Sequence, residues 1–263
     1  MDLGLKNKVA LVAASSRGLG RAVAAELAAE GAHLIMCARG AEVLEQAREA
    51  IAKDTGGHIV ALAADLVDPA EVERVVAAGL EQLGRIDILV TNIGGPPPGP
   101  FDSHDAAAWN QAAQQNLMSV VNLTRAVLPD MKKRGWGRIV NITSIAAKQP
   151  VDNLILSNTM RAGVTGFAKT LANEVAEFGI TVNNVLPGYT RTDRLDQLAE
   201  NMAQARNSSR DEIFKTWADF TPMKRIGTPE EFAAVVAFLA SERSSYVTGV
   251  SLQVDGGVSR SLL

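Results

Sequence analysis

Residues 9–20 read Val9-Ala-Leu-Val-Ala-Ala-Ser-Ser-Arg-Gly-Leu-Gly20, in which five apolar residues lead into a loop of serine and glycine. The apolar run predicts a short buried strand, and the residues after the loop have a helical composition. Glycines in such a loop let the backbone approach a diphosphate, whose charge the N-terminus of the helix favours. Strand, loop and helix in this order therefore predict a dinucleotide-binding unit.

The rest of the chain alternates in the same way between apolar runs and helical segments. Further strands are predicted at 33–37, 58–63, 88–91, 138–142, 181–186 and 250–254. Helices are predicted at 21–30, at 41–53, after Pro69, at 106–131 with a bend near Pro129, at 156–177 and at 230–240. Strands that are apolar throughout indicate a sheet covered on both faces, and the alternation indicates parallel strands. The predicted fold class is α/β: a doubly wound, Rossmann-type parallel sheet of about seven strands with helices on both faces.

Length and composition limit the functions that need consideration. A chain of 263 residues suits one dinucleotide-binding and catalytic domain over 1–263, in which the polar segment 190–222 is a candidate lid over the substrate. The net charge of −3 gives no reason to expect nucleic acid or a membrane as a partner. The short polar start and the absence of a long apolar stretch favour a cytoplasmic protein. No residues have metal-ligand spacing, which predicts no metal.

Several motifs follow the predicted strands in a recognisable order. They are the loop at 13–20, Ala64-Asp65-Leu66, Thr91-Asn92-Ile93-Gly94, Asn116, the run Gly137-Arg-Ile-Val-Asn-Ile-Thr-Ser144, Pro187-Gly188 with Thr192, and the C-terminal runs 225–231, 246–249 and 255–257. Together they resemble the short-chain dehydrogenase/reductase family over nearly the whole chain, and 3-oxoacyl-acyl-carrier-protein reductases within it. The loop departs from the family pattern Thr-Gly-x-x-x-Gly-x-Gly at Ala13 and Ala14.

The resemblance implies a nicotinamide cofactor and the residues that hold it. These are Ala14, Ser15, Ser16, Arg17, Gly18, Leu19, Gly20, Arg39, Asp65, Leu66, Asn92, Ile93, Gly94, Arg161, Pro187, Gly188, Thr190 and Thr192. A carboxylate at the end of the second strand would repel a 2′-phosphate, but that position is Ala38 and Arg39 follows it. With Arg17 nearby, this favours NADP(H) over NAD(H). The alternative is that both arginines are ordinary surface residues.

The resemblance also identifies an altered catalytic pair. In the family, a serine and an asparagine, here Ser144 and Asn116, position the carbonyl and hold a water relay. The family's acid is a tyrosine thirteen positions after that serine, with a lysine four residues further on. Here these positions are Ser157 and Arg161. Serine is a much weaker acid than tyrosine, whereas arginine keeps the positive charge. Tyr189 either supplies a phenol to the pocket or only packs beside it.

Three functions remain open on this basis. The chain is an NADP(H)-dependent oxidoreductase for a small carbonyl or alcohol substrate such as a 3-oxoacyl compound, in which Ser157, Tyr189 or a water supplies the proton. Alternatively it binds a nucleotide without turnover, as a sensor or partner subunit, or it catalyses a non-redox elimination or isomerisation. By analogy with the family, the helices at 106–131 and 156–177 suggest a homotetramer or dimer.

Overall fold

A computed structural model describes residues 2–262 and contains alternating strands and helices. The strands are β1 (Val9–Ala13), β2 (His33–Ala38), β3 (Ile59–Ala63), β4 (Ile88–Thr91), β5 (Gly137–Ile142), β6 (Ile180–Pro187) and β7 (Ser251–Val254). The helices are α1 (Gly18–Ala29), α2 (Ala41–Thr55), α3 (Pro69–Leu83), α4 (Ala106–Ala113), α5 (Ser119–Arg134), α6 (Ile155–Val175), α7 (Asp193–Arg206), α8 (Arg210–Phe220) and α9 (Pro229–Ala240). The predicted 1–263 domain also includes Met1 and Leu263, which lie outside the described residues.

All seven strands within residues 2–262 form one parallel sheet in the order β3-β2-β1-β4-β5-β6-β7. In its register Val12 pairs with Met36 of β2 on one side and with Val90 of β4 on the other. The predicted fold class is confirmed. The chain leaves β1 toward β2 and β3, then returns to the other side of β1 at β4. The carboxyl ends of β1 and β4 therefore flank a crevice, which is where ligands bind in doubly wound sheets.

Each face of the sheet buries its own apolar core. Ala10 and Val12 point to a core formed with α1, α2 and α9, whereas Val9, Leu11 and Ala13 point to a core formed with α3, α5 and α6. Neighbouring residues of one strand serve opposite faces, so β1 has no polar position. This explains why β1 is apolar throughout.

The segment predicted as one helix over 106–131 is interrupted. A π-helical turn, Gln114–Met118, separates α4 from α5 and contains Asn116. Pro129, where the sequence predicts a bend, lies inside α5, which continues to Arg134. A π-turn inserts an extra residue into the helix and is frequent at functional sites.

The polar segment 190–222 contains the helices α7 and α8, which the sequence analysis did not predict. They pack on each other around a small core of Ala199, Ala203, Ile213, Phe214 and Trp217. Thr192 caps α7, and Ser209 with Glu212 forms a capping box at α8. The segment is therefore a folded helical pair that follows the end of β6.

Candidate functional site

The glycine loop after β1 is held tightly against the end of β4. A Cβ on Gly20 would lie 2.3 Å from the carbonyl oxygen of Ala14 and 2.7 Å from Nδ2 of Asn92, so only glycine fits there. Asn92 Nδ2 also donates a hydrogen bond of 3.4 Å to the Ala14 carbonyl. Within residues 2–262 no side chain caps α1 at Arg17. The first N–H groups of α1 are therefore left for an anion.

Ser15 and Ser16 in this loop differ in their burial and in what their hydroxyl groups can contact. Ser15 is buried and its hydroxyl accepts a 3.1 Å hydrogen bond from the Cys37 N–H at the end of β2. The side chain of Ser15 thus fixes the loop to β2 and faces away from the crevice. Ser16 lines an open cleft with Arg17, Gly18 and Thr192. Of the two hydroxyls, that of Ser16 is the one placed beside a ligand in the cleft.

The predicted adenosine end of the site carries exposed charges. Arg17 and Arg39 are both exposed, and neither forms an ion pair with another residue in the described range 2–262. Asp65 is exposed directly after β3, where its carboxylate accepts a 3.2 Å hydrogen bond from the Val67 N–H. Leu66 is buried in the core under α3. The two guanidinium groups are therefore available to bind a phosphate, and the Asp65 carboxylate is accessible to a nucleobase.

A water-sized cavity lies beyond the ends of β4 and β5. Its volume is about 10 Å³, which is close to the minimum for one water molecule. Asn116 is buried in its wall, and its Nδ2 donates to the Ala112 carbonyl at 3.3 Å, which leaves Oδ1 for another donor. The hydroxyl of Thr143, also in the wall, is buried without a hydrogen-bond partner among residues 2–262. The remaining lining residues are Thr91, Asn92, Ile93, Val120, Ile142, Arg161 and Val164.

Arg161 joins this cavity to Ser157. Its Nε donates to Ser157 Oγ at 3.2 Å, and its Nη1 donates to the carbonyls of Ile142 (3.5 Å) and Thr143 at the end of β5. Burial, and then the charge of Arg194, lower the pKa of Arg161 to about 10. Arg161 therefore remains a cation at neutral pH while it holds the Ser157 hydroxyl.

Ser144 and Tyr189 lie at different places around this centre. Ser144 is half-buried one residue after Thr143, and its hydroxyl accepts a 3.1 Å hydrogen bond from the Ala146 N–H. Tyr189 stacks on Trp217 of α8 with 5.3 Å between ring centroids. Tyr189 lines a separate cavity with Thr190 and Asp255, and burial raises the pKa of its phenol. The phenol is thus not activated as an acid.

The loop after β6 is shaped by close backbone packing. A Cβ on Gly188 would lie 2.6 Å from the Asp255 Cβ, so Gly188 and the preceding Pro187 run directly under the C-terminal segment. Thr190 is buried and bridges to Gly227. Thr192 lies above the glycine loop, because a Cβ on Gly18 would be 3.5 Å from its Cγ2. The start of α7 therefore covers the glycine loop.

Two further polar residues lie at Gly94, and the sequence analysis did not identify them. Gln115 Nε2 donates to the Gly94 carbonyl at 3.2 Å, and the Arg194 guanidinium faces Gly94 and Gly95. Gln115 is adjacent to Asn116, so a helical pattern around that residue could have suggested it. Arg194 stands in the polar segment 190–222, and no motif marked it.

Between residues 2 and 262, no group of three or more His, Cys, Asp or Glu residues is arranged to hold a metal ion. Within the same range, no helix has the length and apolar content that crossing a membrane requires.

Comparison with known proteins gives matches over almost the whole chain. The family model described as enoyl-(acyl carrier protein) reductase matches residues 13–259. The chain is 36% identical to the 3-oxoacyl-[acyl-carrier-protein] reductase FabG of Escherichia coli, over 97% of this chain and 99% of the relative. It is 32% identical to the NADPH-dependent reductase BacG of Bacillus subtilis, over 98% and 100%. Among solved structures, L-sorbose reductase of Gluconobacter frateurii with NADPH and L-sorbose superposes with a TM-score of 0.96 at 33% identity, covering all of both chains.

Proposed function

Because this chain belongs to the short-chain dehydrogenase/reductase family, we propose that it is an NADP(H)-dependent oxidoreductase that interconverts a small carbonyl compound, such as a 3-oxoacyl compound, and its alcohol. One observation carries this proposal. The glycine loop, Asn92 and the cavity between Asn116 and Arg161 lie side by side at the carboxyl ends of β1, β4 and β5. A cofactor in the crevice would thus lie beside the polar groups that act on a carbonyl.

The residues present fit NADP(H). Gly20 lets the loop pack closely against Ala14 and Asn92, the uncapped start of α1 offers N–H groups to a diphosphate, and Thr192 lies beside Gly18. The unpaired Arg17 and Arg39 suit a 2′-phosphate. Names of relatives that include NADPH support the same choice. When bound, the cofactor supplies or accepts a hydride at its nicotinamide ring.

The chain's own side chains would stabilise the oxygen of the substrate. During reduction the carbonyl oxygen gains negative charge, which Ser144 and Ser157 can stabilise as hydrogen-bond donors. The Ser157 oxygen accepts from Arg161, so the hydrogen of Ser157 remains available for the substrate. The Arg161 cation adds favourable charge next to it. In this proposal, Ser157 and Arg161 replace the tyrosine and lysine of the family.

The proton that completes the alcohol comes from water. The cavity beside Arg161 fits one water molecule, with Asn116 Oδ1 and the unpartnered Thr143 hydroxyl as hydrogen-bonding groups. Serine is too weak an acid to lose its proton permanently, so a water relay must replace what Ser157 donates. Tyr189 is a poor source, because its ring stacks on Trp217 and burial raises its pKa. The segment 190–222 covers the substrate as a lid, and the protein works as a homo-oligomer.

The decisive experiment measures cofactor binding and turnover separately. We expect NADPH to bind with a lower Kd than NADH, and we expect steady NADPH oxidation with at least one class among 3-oxo acids, 3-oxo esters and 3-oxoacyl thioesters of N-acetylcysteamine. Tighter NADH binding would contradict the cofactor assignment. Tight NADPH binding without turnover over a broad carbonyl panel would favour a binding protein, a function that the weakly acidic Ser157 would suit.

A further inference from the structure

Two guanidinium groups meet beside Gly95. An ideal Cβ on Gly95 would lie 2.9 Å from Arg194 Nη2 and 3.7 Å from Arg161 Nη2. The two nitrogens are thus no further apart than these distances together. Across the described residues 2–262, neither arginine forms an ion pair. Two unneutralised cations therefore face the same small volume.

The two side chains reach this volume from different helices. Arg161 comes from α6, and its Nε and Nη1 are already bonded to Ser157 and to the end of β5, so Nη2 is the part left for a ligand. Arg194 is the second residue of α7, in the segment 190–222, and it is exposed. A group bound between them would contact both the catalytic centre and the proposed lid.

The electrostatics of the pair favour an anion. After burial, the charge of Arg194 is the second cause that lowers the pKa of Arg161. Two like charges at this distance repel each other, and an anion between them replaces that repulsion with two charge-assisted hydrogen bonds. Guanidinium groups offer paired donors that match the two oxygens of a carboxylate.

We infer that Arg161 and Arg194 together bind a carboxylate of the substrate, so that the carbonyl compound is an oxo acid and its alcohol a hydroxy acid. This inference rests on the proposed function, which leaves the substrate class wide. The diphosphate of the cofactor is the other available anion. Its binding loop follows β1, with Gly18 next to Thr192, whereas the arginine pair lies after β4 at Gly94 and Gly95. The position of the pair therefore favours the substrate.

The test compares an acid with its neutral ester in binding, without turnover. Protein loaded with NADPH is titrated with 3-hydroxybutyrate and with methyl 3-hydroxybutyrate, and NADPH fluorescence reports the complex. A second pair, 3-hydroxy-3-phenylpropanoate and its methyl ester, covers larger pockets. We expect the acid to bind about 10- to 100-fold more tightly than the ester, as for hydrogen bonds to a charged group.

Two variants and one control locate the effect. Arg194→Met should reduce the preference for the acid to about one-fold or at most a few-fold while the Kd of NADPH stays unchanged. Gly95→Ala keeps both charges but places a Cβ against Arg194 Nη2, so it should reduce the preference partly. Arg206→Met removes the same charge from the other end of α7 and should leave the preference intact.

Two other results overturn the inference, and a third separates it from the proposed function. Equal binding of acid and ester, or no binding of either to the NADPH-loaded protein, shows that the pair holds no substrate carboxylate. A weaker NADPH complex of Arg194→Met with an unchanged acid preference assigns the pair to the cofactor diphosphate. If the acid preference is present and depends on Arg194 but no carbonyl compound is reduced, the anion site stands and the proposed oxidoreductase function fails.

Discussion

Ala14 occupies a backbone conformation that normally favours glycine. Its φ is +48°, in the left-handed region, at the position where the family pattern has its first glycine. An alanine in this conformation costs the folded state about 1–2 kcal/mol relative to a relaxed conformation. A glycine avoids this cost, but its greater freedom in the unfolded chain lowers the free energy of unfolding by about 0.4–1 kcal/mol. We therefore expect Ala14→Gly to stabilise the protein by about 0.5–1 kcal/mol, measured by urea unfolding. Ala25→Gly in α1 is the control and should destabilise by about 1 kcal/mol; equal losses in both variants would refute the strain.

We expect Arg39 to determine the preference between the two nicotinamide cofactors in the proposed site. It is exposed after β2 and has no ion pair among residues 2–262, so the 2′-phosphate would be its partner. Arg39→Ser should weaken NADPH binding about 10- to 100-fold and leave NADH binding nearly unchanged. Arg48→Ser on α2, whose guanidinium is bonded to Glu45, is the matched control. Parallel losses of NADPH and NADH affinity in Arg39→Ser would show a general effect on the adenosine site instead.

Single residues show where sequence reasoning reached its limit. Asn92, Asn116 and Arg161 could be placed from motif order, and the structure brings them to one cavity. Ser15 illustrates the opposite case, because the same loop position can bind a ligand or a strand, and only the fold shows its hydroxyl bonded to β2. Arg194 was unpredictable, since its approach to Gly95 depends on how α7 is oriented after β6.

Elements were predicted well where a strong periodic signal coincided with buried packing. The strands were found because most of their residues are apolar. The π-turn at Asn116 was missed because an inserted residue leaves the helical composition unchanged and shifts only the hydrogen bonds. The helices α7 and α8 were missed because they bury only five residues in a small core of their own, and most of their remaining residues are polar.

The pair α7 and α8 depends on Trp217. This ring is buried, stacks on Tyr189 and meets Phe214 edge-on with 5.4 Å between centroids. Trp217→Ala removes the centre of a five-residue core, a change that costs about 3–5 kcal/mol in a typical core. We expect local opening, seen as faster hydrogen exchange over 193–220, while the strand amides stay protected. Phe220→Ala, which changes an exposed residue of α8, is the control. Equal hydrogen-exchange rates in both variants would mean that α7 and α8 do not depend on the stacking of Trp217 on Tyr189.

The start of α9 contains a pH-sensitive cap. Glu231 accepts from Arg225 at 2.7 and 2.6 Å and from the Thr228 N–H at 2.9 Å, and these contacts lower its pKa from 4.5 to about 2. A carboxyl whose pKa is lowered by folding stabilises the fold above pH 4.5 and loses that effect as the pH falls toward 2. Glu231→Gln should therefore lower Tm at pH 7, and the difference from wild type should narrow progressively below pH 4.5. Glu230→Gln is the control, because it removes a charge from the same turn and leaves the pair of Arg225 and Glu231 intact. A Tm difference between Glu231→Gln and wild type that does not change with pH would contradict this account.

At the scale of the molecule, the sheet determines which residues can cooperate. Loops after β1, β4 and β5 are far apart in sequence, yet parallel pairing brings their ends to one edge, where the glycine loop and the Arg161 cavity meet. The order of motifs predicted this convergence, because parallel strands place all their carboxyl ends together. The distance between Arg161 and Arg194 could not be predicted in the same way, because Arg194 belongs to the segment 190–222, whose orientation does not follow from the order of the strands.

The edge strand β7 and the residues just before it expose apolar side chains. It is the last strand of the sheet, Leu252 is 38% exposed on it, and Val250 and Tyr246 just before it are exposed as well. An open edge with apolar side chains is a pairing surface that proteins usually cover. We expect a homo-oligomer through this edge, with Leu252→Lys shifting the mass measured by light scattering after size exclusion to that of a smaller assembly. Leu252→Val keeps the surface apolar and should preserve the wild-type mass. A wild type that is monomeric at micromolar concentration would contradict the oligomer, and a Leu252→Lys variant of unchanged mass would place the interface elsewhere.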